Sequence, residues 1–304
     1  MYAAFFGLAE PPFTITPDPR YLFASSRHAE ALAHLVYGVS EAGGFIQLTG
    51  EVGTGKTTLV RSLLAREPSG VDIALVLNPR VTVPEFLLTL CEELSIPMPG
   101  SASGSVKALV DALSAHLLAA HAAGRRVAVI IDEAHLLERD VLEQVRLLTN
   151  LETSTRKLLQ VILIGQPELR ELLAREDLRQ VAQRITGRHH LEPLSREETA
   201  AYVRHRLRVA GATREIFTPA ALRELHQRSG GLPRLVNVIA DRALLGAFAG
   251  DRHEVSSGLL RAAAAEVAGE AEGSRVWPWL ATAATVLLVA VSAWWAWSQR
   301  TMGG

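Results

Sequence analysis

The segment that most constrains this chain is a glycine-rich loop between an apolar run and a helical pattern. It reads Gly50, Glu51, Val52, Gly53, Thr54, Gly55, Lys56 and Thr57, which fits the pattern G-x-x-x-x-G-K-[ST]. Glycines let the backbone wrap closely around a phosphate, and the helix that follows adds the positive end of its dipole. The segment therefore predicts a phosphate-binding loop for a nucleoside triphosphate.

Individual roles follow from the chemistry of this loop. Lys56 is predicted to reach the β- and γ-phosphates of ATP, and Thr57 is predicted to ligate Mg²⁺. Thr58 is counted with the residues that bind the nucleotide. ATP and Mg²⁺ are thus the expected cofactors.

Two acidic residues follow a second apolar run, at residues 127–131. Parallel strands carry their terminal residues to the same edge of a sheet, where the phosphate loop also lies. Asp132 is therefore predicted to hold the Mg²⁺ shell, and Glu133 to orient or activate the attacking water. Together with the loop, these acids predict hydrolysis of the nucleotide.

Apolar runs alternate with helical patterns over the first two thirds of the chain. The predicted strands are residues 45–48, 71–77, 127–131, 159–164 and, more weakly, 189–194. The predicted helices between them are residues 57–66, 84–94, 106–123, 139–150 and 168–181, with an earlier one at 26–41. Continuous apolar runs are typical of strands buried on both faces of a parallel sheet, so the predicted fold class is α/β.

The strand signal stops after residue 194. Residues 195–270 predict helices broken at Gly211, Gly230-Gly231 and Gly250, which we interpret as a second, all-helical domain. The predicted organisation is a lead-in segment (1–43), an α/β ATPase core (44–194), a helical lid domain (195–270), a linker (271–275), a membrane helix (276–297) and a short tail (298–304).

Residues 276–297 contain no charged side chain. A helix over that stretch would be about 33 Å long, enough for a bilayer core of roughly 30 Å. Tryptophans stand near both ends, as expected at membrane interfaces: Trp277, Trp279, Trp294, Trp295 and Trp297. We predict a single membrane span. The N-terminus has neither a basic leader nor a long apolar core, so no secretory signal is expected.

Composition excludes several function classes. A net charge of −1 and a hydrophobic fraction of 48% argue against disorder and against a strongly basic nucleic-acid surface. Cys91 is the only cysteine in the sequence, so an internal disulfide and any multi-cysteine metal site are excluded. The histidines lack the spacing of metal ligands, and no zinc site is predicted.

Three further positions leave alternatives open. Gln166 follows an apolar run and would place an amide near the γ-phosphate or serve as a turn residue. Arg184 precedes the last predicted strand, where it is either a finger for a neighbouring subunit or a solvated side chain, and Arg179 and Arg188 compete for that role. Arg234 opens a helix of the second domain and would contact phosphate from above.

The sequence resembles the AAA+ ATPases of the general secretion pathway protein A type (ExeA-like) over residues 1 to about 270. The residues that carry the resemblance are Phe5 to Leu8, Thr16 to Phe23, His28 to Leu32, Leu48 to Thr58, Asp132 to His135 and Gly165 to Leu169. The resemblance implies that Gln166 is the sensor-1 residue, that Arg234 is the sensor-2 arginine of the lid, and that Arg184 is the finger. It also implies a homo-oligomer, since a finger acting in trans needs a neighbour.

Relatives of this type include ATPases with a periplasmic peptidoglycan-binding region after the membrane helix. Here only residues 298–304 follow the predicted span, so direct binding to the cell wall is not expected. The predicted function is a membrane-anchored ATPase, with its core in the cytoplasm where ATP is available. Hydrolysis would drive or gate assembly of a secretion, pilus or polysaccharide-export system of the cell envelope.

Two alternatives remain from other function classes. One is a scaffold whose oligomeric state is gated by the nucleotide. The other is a DNA-binding ATPase related to transposition regulators, against which stand the near-neutral charge and the predicted membrane helix. Residues 132–135 also spell the acid box of a DEAH helicase, but that class needs a second motor domain, and no second set of strands follows Pro193.

Overall fold

Five parallel strands form the central sheet. The computed structural model describes residues 1–16, 18–23, 25–40, 43–66, 69–97, 105–153 and 157–269. The strands are β1 (Gly44–Gly50), β2 (Val71–Val76), β3 (Arg126–Ile131), β4 (Leu159–Gly165) and β5 (Ile185–Leu191). Their order is β2-β3-β4-β1-β5, and every neighbouring pair is parallel. The predicted α/β class with a parallel sheet is confirmed.

Twelve α-helices surround or follow this sheet within the described ranges. They are α1 (Tyr2–Phe5), α2 (Ser26–Ser40), α3 (Lys56–Leu64), α4 (Val83–Glu93), α5 (Val106–Ala122), α6 (Arg139–Leu148), α7 (Glu168–Ala174), α8 (Arg179–Ala182), α9 (Arg196–Val209), α10 (Pro219–Ser229), α11 (Pro233–Ala249) and α12 (Ser257–Val267). The single helix predicted at residues 168–181 is wrong. The chain leaves helical geometry at Arg175, whose backbone is extended, and two short helices result.

The continuous apolar runs are explained by burial of the sheet on both faces. Along β3, Val127, Val129 and Ile131 belong to a core shared with α4, α5 and α6. Ala128 and Ile130 face the opposite core, which α2 and α3 cover. Side chains alternate along a strand, so a strand covered on both sides needs apolar residues at every position.

A third core lies among α9 to α12. The N-terminal segment belongs to it, because Phe6, Leu8, Phe13 and Tyr21 are buried with the helical residues. The first part of the predicted lead-in segment therefore packs on α9 to α12, the predicted lid, whereas α2 packs on the sheet. The segment thus connects the two parts of the molecule.

The predicted linker, membrane helix and tail, residues 271–304, lie outside the described residues. Within the ranges that are described, up to residue 269, no helix combines the length and the apolar character that a bilayer crossing requires.

Candidate active site

The glycine-rich loop joins β1 to α3, where the sequence predicted a strand and a helix. Gly53 and Gly55 have φ angles of +85° and +105°, which side chains rarely adopt. A Cβ atom at Gly53 would lie 2.7 Å from Cβ of Arg234, so the loop also needs glycine for its close approach to the lid. These two positions make the loop a narrow backbone cradle at the start of a helix.

Lys56 is held inside this cradle. Its Nζ atom donates to Gly50 O at 2.6 Å and to Glu51 O at 3.0 Å, and the residue is only 6% exposed. Burial lowers the pKa of Lys56, while the charges of Glu133 and Asp132 oppose that shift. The ammonium has three N–H groups, so one remains for a ligand beyond the two loop carbonyls.

The magnesium candidates are in direct contact. Thr57 donates its hydroxyl to Asp132 Oδ2 at 3.1 Å, and the backbone N–H of Glu133 donates to Asp132 Oδ1 at 3.0 Å. Burial raises the pKa of Asp132, and these two hydrogen bonds oppose the shift. A hydroxyl and a carboxylate at this separation supply two oxygen donors of the kind that Mg²⁺ prefers.

Glu133 belongs to a small polar network with His135 and Gln166. Its backbone is left-handed, with φ +52°, which is uncommon for a residue with a side chain. The Gln166 amide donates to Glu133 Oε2 at 3.5 Å and lies 3.2 Å from His135 Nε2. His135 Nδ1 is 3.4 Å from the same Glu133 oxygen. The sequence assigned His135 no role, yet it contacts both of its functional neighbours.

The sheet order explains how these residues meet. Gln166 directly follows β4, which lies between β1, which leads to the loop, and β3, which leads to Asp132. All three strands run parallel, so their carboxyl ends deliver these side chains to one edge. Residues separated by more than a hundred positions in sequence are brought together in this way.

A cavity of about 410 Å³ lies above the loop, within the range usual for small-molecule sites. The lid contributes Arg234, whose backbone N–H donates to Gly53 O at 3.2 Å. The N-terminal segment closes the far side with apolar and aromatic side chains that suit a nucleobase: Ile15, Tyr21, Leu22 and Phe23. The glycine-rich loop, the lysine and the apolar wall of the cavity together fit a nucleoside triphosphate.

His28 contacts the loop and lines the cavity, a role that the sequence motifs did not indicate. Its ring lies 3.0 Å from Thr54 O through Nε2 and 2.8 Å from the Ser25 hydroxyl through Nδ1. Burial lowers the pKa of His28. A carbonyl oxygen only accepts, so Nε2 carries the proton and donates to Thr54. The resemblance included His28, but nothing in its spacing showed a contact with the loop.

Arg206 was also missed, although it anchors the cover of the cavity. Its guanidinium donates to Pro12 O at 2.6 Å, to Thr14 O at 3.2 Å and to the Tyr202 hydroxyl at 2.9 Å. It also lies 4.6 Å above the Tyr21 ring. Because Pro12 and Thr14 are remote from Arg206 in sequence, no motif could have revealed this role.

Arg184 does not line the cavity of its own chain. It precedes β5 at the amino end of that strand, the sheet edge opposite the loop, and its Nη1 donates to Arg146 O and Thr149 Oγ1, both at 3.1 Å. Its competitor Arg188 donates to Ala182 O at 3.0 Å. The residues predicted for the nucleotide site thus lie close together within one chain, whereas Arg184, the predicted finger, lies at the opposite edge of the sheet.

Comparison with known proteins agrees with this geometry. A family model described as an AAA domain matches residues 39–173. General secretion pathway protein A of Aeromonas hydrophila is 52% identical over 297 residues, which cover 98% of this chain and 54% of that protein. The chain thus carries an AAA domain and is similar over almost its whole length to general secretion pathway protein A. It spans about half the length of this curated relative.

Solved structures share the fold at lower identity. The ORC2 protein of Aeropyrum pernix, in its ADPNP–ADP complexes, is 21% identical with a TM-score of 0.62, covering 84% of this chain and 71% of that chain. CDC6P from Pyrobaculum aerophilum is 17% identical with a TM-score of 0.63, covering 80% and 67%. At these identities the likeness shows the AAA fold alone, and it agrees with ATP binding at the loop.

Proposed function

We propose that this ATPase uses Mg²⁺ and is anchored in the inner membrane, where hydrolysis drives or gates assembly of a cell-envelope secretion, pilus or polysaccharide-export system. The observation that carries the hydrolytic part is the contact between Thr57 and Asp132 beside Glu133, and Thr57 and Glu133 line the cavity. Hydroxyl, metal-binding carboxylate and second carboxylate are the groups that hydrolysis of a bound triphosphate requires.

Each residue has a proposed role in this site. Residues 50–58 hold the phosphates through the loop backbone, and Lys56 neutralises their charge. Thr57 and Asp132 hold Mg²⁺, which supplies charge neutralisation when bound. Glu133 orients the attacking water. Gln166 and His135 fix the Glu133 carboxylate in position, and their distances to it support this assignment.

Arg234 is proposed to sense the nucleotide from the lid. Its backbone already contacts Gly53 O, and the residue lines the cavity together with the loop. Closure of the lid on ATP would therefore move Arg234 with respect to the phosphates. The division into a core at residues 44–194 and a lid at residues 195–270 is retained as part of this proposal.

We propose a homo-oligomer in which Arg184 acts on the nucleotide of a neighbouring subunit. Its place at the sheet edge opposite its own loop supports a role in trans. In a ring of like subunits, one edge of each sheet faces the next nucleotide. Arg179 and Arg188 lie close in sequence, and single alanine variants of the three arginines in a mixed-subunit ATPase assay will identify the finger.

Membrane anchoring rests on the uncharged stretch at residues 276–297 with tryptophans near its ends. The link to secretion rests on the similarity to a protein named for the general secretion pathway. Because this chain spans about half of that protein, the partner system is part of the proposal. The core would lie on the cytoplasmic side, where ATP is available.

ATP turnover by the full-length chain tests the site. Activity is expected to need Mg²⁺ and to vanish in Lys56→Ala, while Glu133→Gln should bind ATP and hardly hydrolyse it. Glu138→Gln is the matched control, because Glu138 is exposed at the start of α6. Normal turnover by both Lys56→Ala and Glu133→Gln would overturn the assignment.

The same variants separate the alternative functions. If Glu133→Gln, loaded with ATP, recruits partners and supports assembly as well as the wild type does, the chain is a nucleotide-gated scaffold. A DNA-binding ATPase would show salt-sensitive binding to duplex DNA, since counterion release makes such affinity fall steeply with ionic strength. The proposal expects neither result.

A further inference from the structure

A cluster of three ligand-bearing side chains lies outside the nucleotide cavity, where α2 packs against β5. Glu30 and His34 stand four residues apart on α2 and therefore share one face of the helix. His189 comes from β5, the edge strand. One ligand atom from each of the three residues lies within 4.8 Å of the other two, and the two imidazole rings are 5.4 Å apart between centroids.

His189 is the least exposed member of this cluster. Its Nε2 atom is shielded from solvent and has no hydrogen-bond partner among the described residues. A buried imidazole nitrogen without a partner costs free energy, so its environment favours any group that binds it. Burial, together with nearby His34, lowers the pKa of His189, which favours the neutral form that a metal ligand requires.

We propose that Glu30, His34 and His189 form a Zn²⁺ site. Two imidazole nitrogens and one carboxylate oxygen are a common ligand set for zinc, whereas Mg²⁺ and Ca²⁺ prefer oxygen alone. The single thiol, Cys91, is buried among the residues of the core that packs on the other face of the sheet, so no sulfur ligand is expected. The carboxylate of Glu30 also offsets part of the metal charge.

Zinc binding would require only a small inward movement of the Glu30 and His34 side chains. Ligand atoms of a tetrahedral zinc ion, about 2.05 Å from the metal, stand about 3.4 Å apart. The side chains of Glu30 and His34 are 64% and 53% exposed, and their nearest atoms are 4.0 Å apart. Because both are free of dense packing, they can turn toward His189 by changing rotamers without disturbing the sheet.

A fourth position faces open space. A cavity of about 630 Å³ adjoins the cluster, and Tyr37, Ile46 and Arg188 line it beside the three ligands. The Arg188 guanidinium donates to Ala182 O at 3.0 Å, which holds its Nη2 at that carbonyl. The cavity has ample room for a water molecule as the fourth ligand, the arrangement usual where zinc has three protein ligands.

The site would tie α2 to the edge strand. The first turn of α2 carries His28, which contacts Thr54 of the phosphate loop. Bound zinc would therefore fix the same helix at two points, once against the loop and once against β5. Zinc binding itself does not depend on the proposed ATPase role, and the two can fail separately.

The test is zinc binding by the full-length chain without an affinity tag, stripped with a chelator and free of nucleotide. Zn²⁺ is titrated in competition with a chromophoric chelator. One equivalent per chain is expected, together with a rise in melting temperature, since a ligand that binds only the native state stabilises it. X-ray absorption should show nitrogen and oxygen neighbours with imidazole scattering and no sulfur.

His34→Ala and His189→Gln are each expected to weaken this binding by more than about tenfold, and to abolish the zinc-induced rise in melting temperature. His121→Ala is the matched control, an exposed histidine on α5 that should leave binding unchanged. His34→Ala alters an exposed side chain, so its fold is secure even if His189→Gln is unstable. Full-strength binding in both variants, or no binding by the wild type at about 100 µM Zn²⁺, would overturn the proposal.

Discussion

Replacing Arg206 by methionine should release the N-terminal cover of the nucleotide cavity. Arg206 lies on α9 and is only 5% exposed, and it donates two hydrogen bonds to backbone carbonyls of that cover, at Pro12 and Thr14. Methionine keeps the apolar stem but offers no donor. The buried Pro12 carbonyl would then lack a partner, and the Thr14 carbonyl would lose its hydrogen bond, unless the segment moves away from α9 toward water.

The magnitude follows from the contacts that are lost. A hydrogen bond from a charged donor contributes about 1.5 to 3 kcal/mol, and the stacking on Tyr21 contributes about 1 kcal/mol. Two such hydrogen bonds at the lower value contribute about 3 kcal/mol to docking of the cover. The stacking contribution is taken to be offset by the cost of burying the guanidinium. At about 1.4 kcal/mol per factor of ten, local opening becomes about a hundredfold more frequent.

Hydrogen exchange measured by mass spectrometry reports this opening. The Ala9 amide donates to Ala210 O at 2.8 Å, at the end of α9, so its exchange follows undocking of the segment. Exchange in peptides covering residues 2–23 should accelerate about a hundredfold, because protection tracks the local opening equilibrium. ATP should bind more weakly as well, since the cavity loses the wall formed by Ile15 and Phe23.

Two companion variants serve as controls for Arg206→Met. Arg208→Met changes an exposed arginine on the same helix and should alter neither exchange nor affinity. Arg206→Lys keeps the charge but can reach only one carbonyl well, so it should fall between the wild type and Arg206→Met. If Arg206→Met kept wild-type protection over residues 2–23 and ATP affinity within twofold, the guanidinium would not be what holds the cover.

Two further predictions concern the phosphate loop. Gly53→Ala should abolish ATP binding, because its Cβ would stand 2.7 Å from Cβ of Arg234. Gly124 also has a positive φ, but no atom of the described residues lies within 4 Å of a Cβ placed there, so Gly124→Ala should cost only about 1 to 2 kcal/mol of stability in denaturant unfolding. Burial lowers the pKa of His28 in the folded state, so the unfolded chain takes up a proton first as the pH falls below about 6.5, and the free energy of unfolding should decline from there until the folded pKa is passed. His28→Gln should flatten that part of the stability profile, and an unchanged slope would contradict the assignment.

Strands could be placed where the apolar run is nearly continuous, and less well where polar residues fill the strand. β3 and β4 are buried along nearly their whole length, and their predicted limits lie within a residue of the observed ones. β5 was predicted at residues 189–194 but spans Ile185–Leu191, because its central residues, 186–190, are Thr, Gly, Arg, His and His rather than an apolar run. Its apolar signal is weak, and the sequence misplaced it.

The break after α7 shows a second limit of prediction from the sequence. Residues 168–181 have a continuous helical pattern, yet Arg175 is extended and its guanidinium donates to the Asp177 carboxylate at 3.2 Å. Asp177 also pairs with Arg139, at 3.5 Å, from α6. A continuous helix would turn the Arg175 and Asp177 side chains away from one another. The ion pairs that compete with the helix do not alter the apolar periodicity, so the sequence pattern does not show the break.

The candidate site was predictable to the extent that its residues form local strings. Residues 50–58 and the acids at 132–133 are contiguous, and the sheet topology rule then places them together. The contacts of His28 with Thr54, and of Arg206 with Pro12, join segments that are remote in sequence. Each contact is made by a single residue of a common type, so only the folded structure shows that His28 and Arg206 border the nucleotide cavity.

These missed contacts bear on how the lid communicates with the loop. The lid reaches the loop directly, through the Arg234 N–H that binds Gly53 O. It also reaches the loop indirectly, because Arg206 holds the N-terminal cover, and that segment runs on into α2 and His28, which binds Thr54 O. Both routes end on neighbouring carbonyl groups at the tip of the loop.

A trans peptide directs its N–H away from its own carbonyl. The hydrogen bond from His28 to Thr54 O therefore aims the Gly55 N–H away from α2, at the start of the helix where a phosphate would bind. We expect a rotation of the lid that displaces the N-terminal cover and α2 to turn this peptide plane. The orientation of the loop donors, and with it the affinity for ATP, should thus depend on the position of the lid even where no lid side chain touches the phosphates.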